Sequence, residues 1–185
     1  MTGTTRAAAG MVMAAAIVVG PLAAMAAAGV REGDPADPHV RSDSGAIVAL
    51  IGRASDGSPT FRRLLEAIDA TNGVVYLSDL KCLDGQRACF TGVTMAGTRR
   101  NLWVRVDMKR HDDDWDVIRS IAHELRHTLE ILEVPSIAST AAMHFFYQSV
   151  GYQGGRRSYE TQAAVDAGEA VRDEVRASAQ RAKTK

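Results

Sequence analysis

The chain has 185 residues, enough for one globular domain with a hydrophobic core but short for two. Its 22 basic residues are balanced by 22 acidic ones, so the formal net charge is zero. This balance argues against a large basic surface for nucleic acid, and we expect no nucleic-acid partner.

Residues 1–28 are typical of a secretory signal peptide. Arg6 follows a short polar start, the stretch 11–28 is almost entirely apolar, and Ala24-Met25-Ala26 provides a small-residue cleavage site. The apolar stretch is close to the lower length limit of a membrane span, so an uncleaved N-terminal membrane anchor is the alternative. Contact with a membrane is expected only in that second case. Either way, we expect the rest of the chain to be exported to the periplasm, the cell envelope or the medium.

Residues 29–44 are predicted to form a flexible linker, because they contain Gly33, Pro35, Pro38 and several aspartates. A single domain is expected to follow over residues 45–185.

The first half of this domain predicts helices followed by strands. The apolar run Ile47–Ile51 favours a helix over a strand. Ser58 and Pro59 are typical of a helix start, and Asn72-Gly73 closes that helix. Three β-rich runs then predict a small antiparallel sheet, and with it an α+β fold class: Val74–Leu77, Ala88–Val93 and Leu102–Val106.

The only two cysteines are predicted to form a disulfide. Cys82 and Cys89 flank Asp84-Gly85, a turn signal that places them opposite each other across a hairpin. In an oxidising compartment such a pair closes a short structural loop. The spacing does not match a redox or zinc pair of the CxxC type.

The helix predicted over residues 115–132 contains the pentapeptide His123-Glu124-Leu125-Arg126-His127, an H-E-x-x-H pattern. Residues four apart lie on one face of a helix, so both imidazoles can bind one cation. Glu124 lies about 100° around the helix from His123. That placement suits a general base acting on a water beside the metal.

The rest of this helix supports the interpretation. Acidic residues at 112–114 suit the positive end of the helix dipole, and Pro135 ends the helix. Glu130 lies on the histidine side, but it is about 10.5 Å of helix rise from His123, too far to complete a compact site. Glu130 therefore either supports the site from outside the ligand set or faces water. An apolar stripe covers the opposite side: Ile118, Ile121, Leu125, Leu129 and Leu132.

On this motif and the order of elements around it, the chain resembles the zincin metallopeptidases. The resemblance implies a small zincin-like α+β domain with the motif on a central helix. It implies zinc as the cofactor, His123 and His127 as metal ligands, and Glu124 as the residue that activates water. It further implies that an edge strand pairs with an extended substrate, for which Leu102–Val106 is the candidate. The metzincin extension is absent, because residue 133 is glutamate.

Gluzincins take their third ligand from a glutamate on a later helix, and this resemblance favours Glu160. The segment Ser158–Ala164 is predicted to open such a helix, with Glu160 in its first turn. Asp166, Glu169 and His144 remain open as alternatives. Position 164 is alanine, where the best-known gluzincins have an acid.

A further helix is predicted between these two elements, capped by Ser139-Thr140 and ended by Gly151. Met143 and Phe145-Phe146 are expected to pack in the core, and His144 is expected among them as a core histidine rather than a ligand. Beyond it, the sequence offers three donors that can stabilise an oxyanion without selecting one: Tyr152, Arg157 and Tyr159.

The sequence thus predicts an exported zinc-dependent peptidase acting on a peptide or protein substrate. Zinc lowers the pKa of its bound water to about 7, and Glu124 takes the proton. The alternative is a catalytically silent zincin-fold protein of the cell envelope that serves as a structural or partner-binding module.

Overall fold

The computed structural model describes residues 37–155 and 158–184. The predicted signal peptide or membrane anchor at residues 1–28 lies outside the described residues. Within the described part, no helix is long and apolar enough to cross a membrane.

The fold class is α+β, as predicted, with a mixed sheet and a two-stranded antiparallel sheet. Over the described residues, the helices are α1 (Gly45–Gly57), α2 (Pro59–Asp69), α3 (Asp114–Leu132), α4 (Thr140–Val150) and α5 (Gln162–Lys183). The strands are β1 (Val40–Ser42), β2 (Gly73–Ser78), β3 (Ala88–Ala96), β4 (Arg99–Val106), β5 (Tyr152–Gly155) and β6 (Ser158–Glu160).

Side-chain caps explain where the helices begin. Ser58 accepts a hydrogen bond from the Phe61 amide at 2.9 Å and so caps α2, whose first residue is Pro59. Ser139 caps α4 in the same way, through the Ala142 amide at 3.2 Å. The predicted starts of these helices are confirmed.

The larger sheet has strand order β1-β2-β4-β3 and is mixed, so the prediction of a wholly antiparallel sheet is wrong. β3 and β4 form an antiparallel hairpin around Gly97, which has a positive φ of 60°. β2 pairs in parallel with both β1 and β4. Local alternation shows which segments are strands, but it does not show which strand becomes the neighbour of which. Leu102–Val106 belongs to β4 and lies between β2 and β3, so it is not an edge strand.

β1 lies inside the stretch 29–44 that the composition predicts as a linker. Val40 is buried in the core cluster, and residues 40–42 pair with residues 75–77 of β2. Burial of one apolar residue and the ladder hydrogen bonds of β2 order the end of this stretch.

α3 is the central helix of the core. Its apolar stripe is buried against α1, α2 and the sheet, together with Val117, Ala122 and Ile131. α5 crosses α3 at very short range, because Gly168 has no side chain. A Cβ at position 168 would lie 3.0 Å from the Arg119 carbonyl oxygen and 3.3 Å from the His123 Cβ.

The C-terminal end of α3 is held by the buried guanidinium of Arg100. It donates to the carbonyl oxygens of Ile131 at 3.0 Å, Leu132 at 2.7 Å and Val134 at 3.1 Å. These are groups that a helix end leaves without intrahelical partners. The cation also suits the negative end of the helix dipole, although burial lowers the pKa of Arg100.

The predicted disulfide between Cys82 and Cys89 is present. It ties the loop that follows β2 to the start of β3, next to the cleft described below. The predicted hairpin between the cysteines is wrong, because β3 pairs with β4 and not with β2. The expectation that Phe145 packs in the core is wrong, since this side chain is 73% exposed, whereas Met143 is buried. His144 is exposed as well, because α4 rests on the sheet by one narrow face only.

Candidate metal centre

α3 presents His123, Glu124 and His127 on the side opposite its apolar stripe. Glu124 and His127 are 6% and 5% exposed, and His123 is half-buried. The two imidazoles meet edge to face with ring centroids 4.8 Å apart, as expected for residues one helical turn apart.

Glu160 reaches this pair from the second sheet. Its Oε2 atom lies 2.9 Å from Nε2 of His123 and 3.7 Å from Nε2 of His127. The three residues each offer one ligand atom, and these atoms all lie within 4.8 Å of one another. Burial raises the pKa of Glu160, but hydrogen bonds with the two histidines outweigh this effect and hold the pKa well below its usual range. The structure therefore brings His123, His127 and Glu160 into one group that can hold a metal ion.

The residue favoured as third ligand is in place, but its predicted secondary structure is wrong. Glu160 ends strand β6, and α5 begins only at Gln162. Thr161 lies between them as the helix cap, and its hydroxyl accepts a hydrogen bond from the Ala164 amide at 3.2 Å. A cap in extended conformation keeps the preceding residue out of the helix.

Two glycines of the β5 region allow Glu160 to lie where it does. A Cβ at Gly154 would overlap the Glu160 Cγ, and a Cβ at Gly151 would lie 3.1 Å from the Glu160 carbonyl oxygen. These contacts were missed from the sequence. Two glycines that flank Tyr152-Gln153 just ahead of a short strand are the signal that could have indicated close backbone packing.

Glu124 faces the same cavity as the ligand group. Burial raises the pKa of Glu124, while the nearby charges of His123 and His127 act in the opposite direction. The cavity has a volume of about 90 Å³. It is lined by Gln86, Cys89, Phe90, Glu124, His127, Met143, His144, Tyr147, Tyr159 and Glu160.

One contact fixes the ring of His127, and another fixes its backbone. Its Nδ1 lies 3.1 Å from Oε2 of Glu130, and its carbonyl oxygen accepts from the Tyr147 hydroxyl at 2.7 Å. Burial lowers the pKa of His127, but hydrogen bonds with Glu130 and Glu160 outweigh it and raise the pKa to about 9. Glu130 is 8% exposed. It therefore does not face water, and it supports the site from outside the ligand set.

The other candidate ligands lie elsewhere. Asp166 is exposed and accepts from Gln162, while Glu169 pairs with Arg119 and Arg172. His144 lines the cavity without joining the ligand group. Among the three oxyanion candidates, Tyr159 lines the cavity, Tyr152 is 50% exposed, and Arg157 lies outside the described residues.

Comparison of the chain with family models, with curated proteins and with solved structures finds no match. Function is therefore inferred from the site itself.

Proposed function

We propose that this protein is an exported zinc-dependent peptidase of zincin type. One observation supports the proposal above all others. Two imidazole nitrogens and a carboxylate oxygen converge within 4.8 Å of one another, and the buried carboxylate of Glu124 lies at the same cavity. The disulfide agrees with export, because such bonds persist in oxidising compartments.

The donor set suits zinc. Two histidines and a glutamate are a known catalytic combination, which leaves a fourth position open. Both histidines turn Nε2 toward Glu160, so the imidazole lone pairs and the carboxylate can meet at one point. A zinc ion held by His123, His127 and Glu160 would act as a Lewis acid, which would lower the pKa of a bound water molecule and polarise the scissile carbonyl.

Glu124 acts as general base in this proposal. It takes a proton from the attacking water and returns it to the nitrogen of the leaving amine. Its raised pKa suits this task, since a base works best when its pKa is not far below the working pH. A purely structural metal site has no need for such a carboxylate.

The substrate would bind as an extended peptide along β3. β3 is an edge strand of the mixed sheet, and Phe90 lies at the cavity with its backbone hydrogen-bonded to Glu124. The Thr140 hydroxyl of α4 already bonds the backbone N–H and carbonyl of Val93, so the peptide would lie against the Phe90 end of this edge, with its scissile bond near the ligand group. Tyr159 and His144, both at the cavity, are the donors available for the oxyanion.

The small cavity favours a second candidate, a catalytically silent envelope protein that binds a metal and a partner. Both candidates require the metal, but only the peptidase requires Glu124.

Zinc content and hydrolysis of an unfolded protein substrate, measured together, separate the two candidates. Glu124→Gln should retain zinc and lose hydrolysis by about 100-fold or more. The matched control is Glu133→Gln, which removes an exposed carboxylate from the end of α3 and should retain both properties. Full hydrolysis by Glu124→Gln would contradict the mechanism. A parent protein that binds zinc without hydrolysing any peptide bond would favour the silent candidate.

A further inference from the structure

We propose that Glu130 is a positioning residue that joins the two parts of the chain that hold the metal. The inference rests on the proposed metal site. His123 and His127 belong to α3, whereas Glu160 arrives on β6 more than thirty residues later. Nothing in the helix itself determines where that strand ends, so a contact between the two parts is needed to hold the ligands together.

The first contact of Glu130 is with His127. A carboxylate only accepts hydrogen bonds, so Nδ1 of His127 must donate its proton to Oε2 of Glu130 across the 3.1 Å that separates them. This contact fixes the ring orientation and occupies Nδ1, so Nε2, which faces Glu160, is the nitrogen that would bind a metal ion. Outer carboxylates of this kind also raise the basicity of a ligating histidine.

The second contact is with Thr161, the residue directly after Glu160. The Thr161 hydroxyl donates to the other carboxylate oxygen, Oε1 of Glu130, at 2.7 Å. The same hydroxyl caps α5, so one side chain defines both the end of β6 and the start of the helix. Glu130 therefore holds the β6–α5 junction at a fixed place on α3.

The surroundings of Glu130 retain it as a carboxylate. It is 8% exposed, and Nε of Arg126 lies 3.7 Å from Oε1. Both carboxylate oxygens therefore face donor groups, with His127 at Oε2 and with Thr161 and Arg126 at Oε1. A glutamine would preserve the size of the side chain, but it offers one acceptor oxygen and no charge.

The test measures zinc affinity by chelator competition and the absorption spectrum of the cobalt-substituted protein. Glu130→Gln should bind zinc about 10- to 100-fold more weakly than the parent and shift the cobalt spectrum. Thr161→Val, which removes the hydroxyl contact but not the branched shape, should also weaken zinc binding, and Thr161→Ser should restore it. Glu130→Gln and Thr161→Val break the same chain of contacts. The loss of zinc affinity in the double variant should therefore be smaller than the sum of the two single losses.

Glu133→Gln is the matched control. Glu133 lies at the end of the same helix and shares Arg126, but its side chain is 55% exposed and touches neither His127 nor Thr161. It should bind zinc as the parent does. Far-ultraviolet circular dichroism of the metal-free proteins checks that each variant folds. If Glu130→Gln does not fold, the zinc affinity of Thr161→Val tests the role of the contact between Glu130 and Thr161.

The outcomes separate this inference from the proposed function. Parent-like affinity and an unchanged cobalt spectrum in both Glu130→Gln and Thr161→Val would overturn the role of Glu130 and leave the metal site intact. Additive losses in the double variant would overturn the coupling between the two contacts. A parent protein that binds no zinc would overturn the proposed function, and this inference with it.

Discussion

The two faces of α3 bury different kinds of side chain. The face toward the core is formed by Ile118, Ile121 and Leu125, each at most 1% exposed and surrounded by apolar side chains. The face toward the cleft is also buried at Glu124 and His127, but the groups that it buries are ionisable. Burial of apolar surface stabilises a fold, whereas burial of a carboxylate costs free energy unless it is compensated.

The contrast indicates where stability and chemistry reside in this small domain. The core face supplies the free energy that holds α3 in place. The cleft face uses some of it to keep the carboxylate of Glu124 buried, whereas His127 and Glu130 stabilise each other there through a hydrogen bond. Changes on the two faces should therefore differ in which property they damage, and the following predictions test that separation.

Leu125→Ala should produce the largest change in stability. Leu125 lies between the two histidines in the sequence, but its side chain is fully buried in the core. Its truncation should lower the free energy of unfolding by about 2–5 kcal/mol, from lost transfer energy and the cavity left behind. Urea unfolding measures this. Leu80→Ala, at a residue 53% exposed, should cost less than about 0.5 kcal/mol. Equal losses in the two variants would refute the assignment of the core face.

Gly154→Ala should damage the metal site without removing any ligand. The added methyl group would overlap the Glu160 side chain and displace it from the histidines. Zinc affinity should fall about 10-fold, while the free energy of unfolding changes by less than about 1 kcal/mol. Gly52→Ala is the control, because nothing lies within 4 Å of a Cβ there. Unchanged zinc affinity in Gly154→Ala would show that the close packing of β5 on β6 does not position Glu160.

Glu124→Gln should make the metal-free protein more stable, by about 1 kcal/mol at neutral pH. Burial raises the pKa of Glu124, which means that the folded protein disfavours the ionised carboxylate. An uncharged side chain of the same shape removes that penalty. Urea unfolding in the presence of a chelator gives the value. A variant less stable than the parent would show that the cleft face contributes to stability, and the contrast between the faces would not hold.

Glu174→Gln should have an effect on stability of the same size as that of Glu124→Gln but of opposite sign, and one that depends on pH. Burial raises the pKa of Glu174, but hydrogen bonds from Ser58 and Thr60 outweigh it and lower the pKa. The contribution of the carboxylate to stability is therefore fully present above the unfolded-state pKa of about 4.3, and it is lost as the pH falls through the folded-state pKa. At pH 7 the variant should be about 1 kcal/mol less stable than the parent.

Urea unfolding at several pH values follows this difference, which should vanish in acid. Asp173→Asn is the control, because Asp173 is an exposed neighbour on α5 that pairs with Arg172. A difference that persists unchanged to low pH would contradict the role of the Glu174 charge.

Local patterns in the sequence predicted the elements well. The helical period, the caps at Ser58 and Ser139, and the turn between the cysteines depend on neighbours a few residues apart. The structure agrees at the helices, the caps and the disulfide, but the two cysteines do not face each other across a hairpin. The position of His123, Glu124 and His127 on one helix face follows from the same short-range geometry.

Long-range arrangement was not predictable in the same way. β4 lies between β2 and β3 in the sheet. The alternation of apolar and polar residues along each strand gave no information about this strand order. Glu160, which the resemblance favours as third ligand, lies beside the histidines, yet it is in a strand because the Thr161 cap excludes it from α5. The contacts of Glu130 with His127 and Thr161 depend on tertiary packing, so the sequence left its role open.

The most direct test of the proposed metal centre is the zinc content and zinc affinity of the purified protein, of Glu160→Ala and of Glu169→Ala. Glu169 is on α5 near α3, but it pairs with Arg119 and lies outside the ligand group. We predict one zinc per chain in the parent and in Glu169→Ala, with an affinity loss in Glu160→Ala greater than the about 10- to 100-fold typical of outer partners. Zinc binding by Glu160→Ala as tight as that of the parent, or no zinc in the parent, would contradict the site formed by His123, His127 and Glu160.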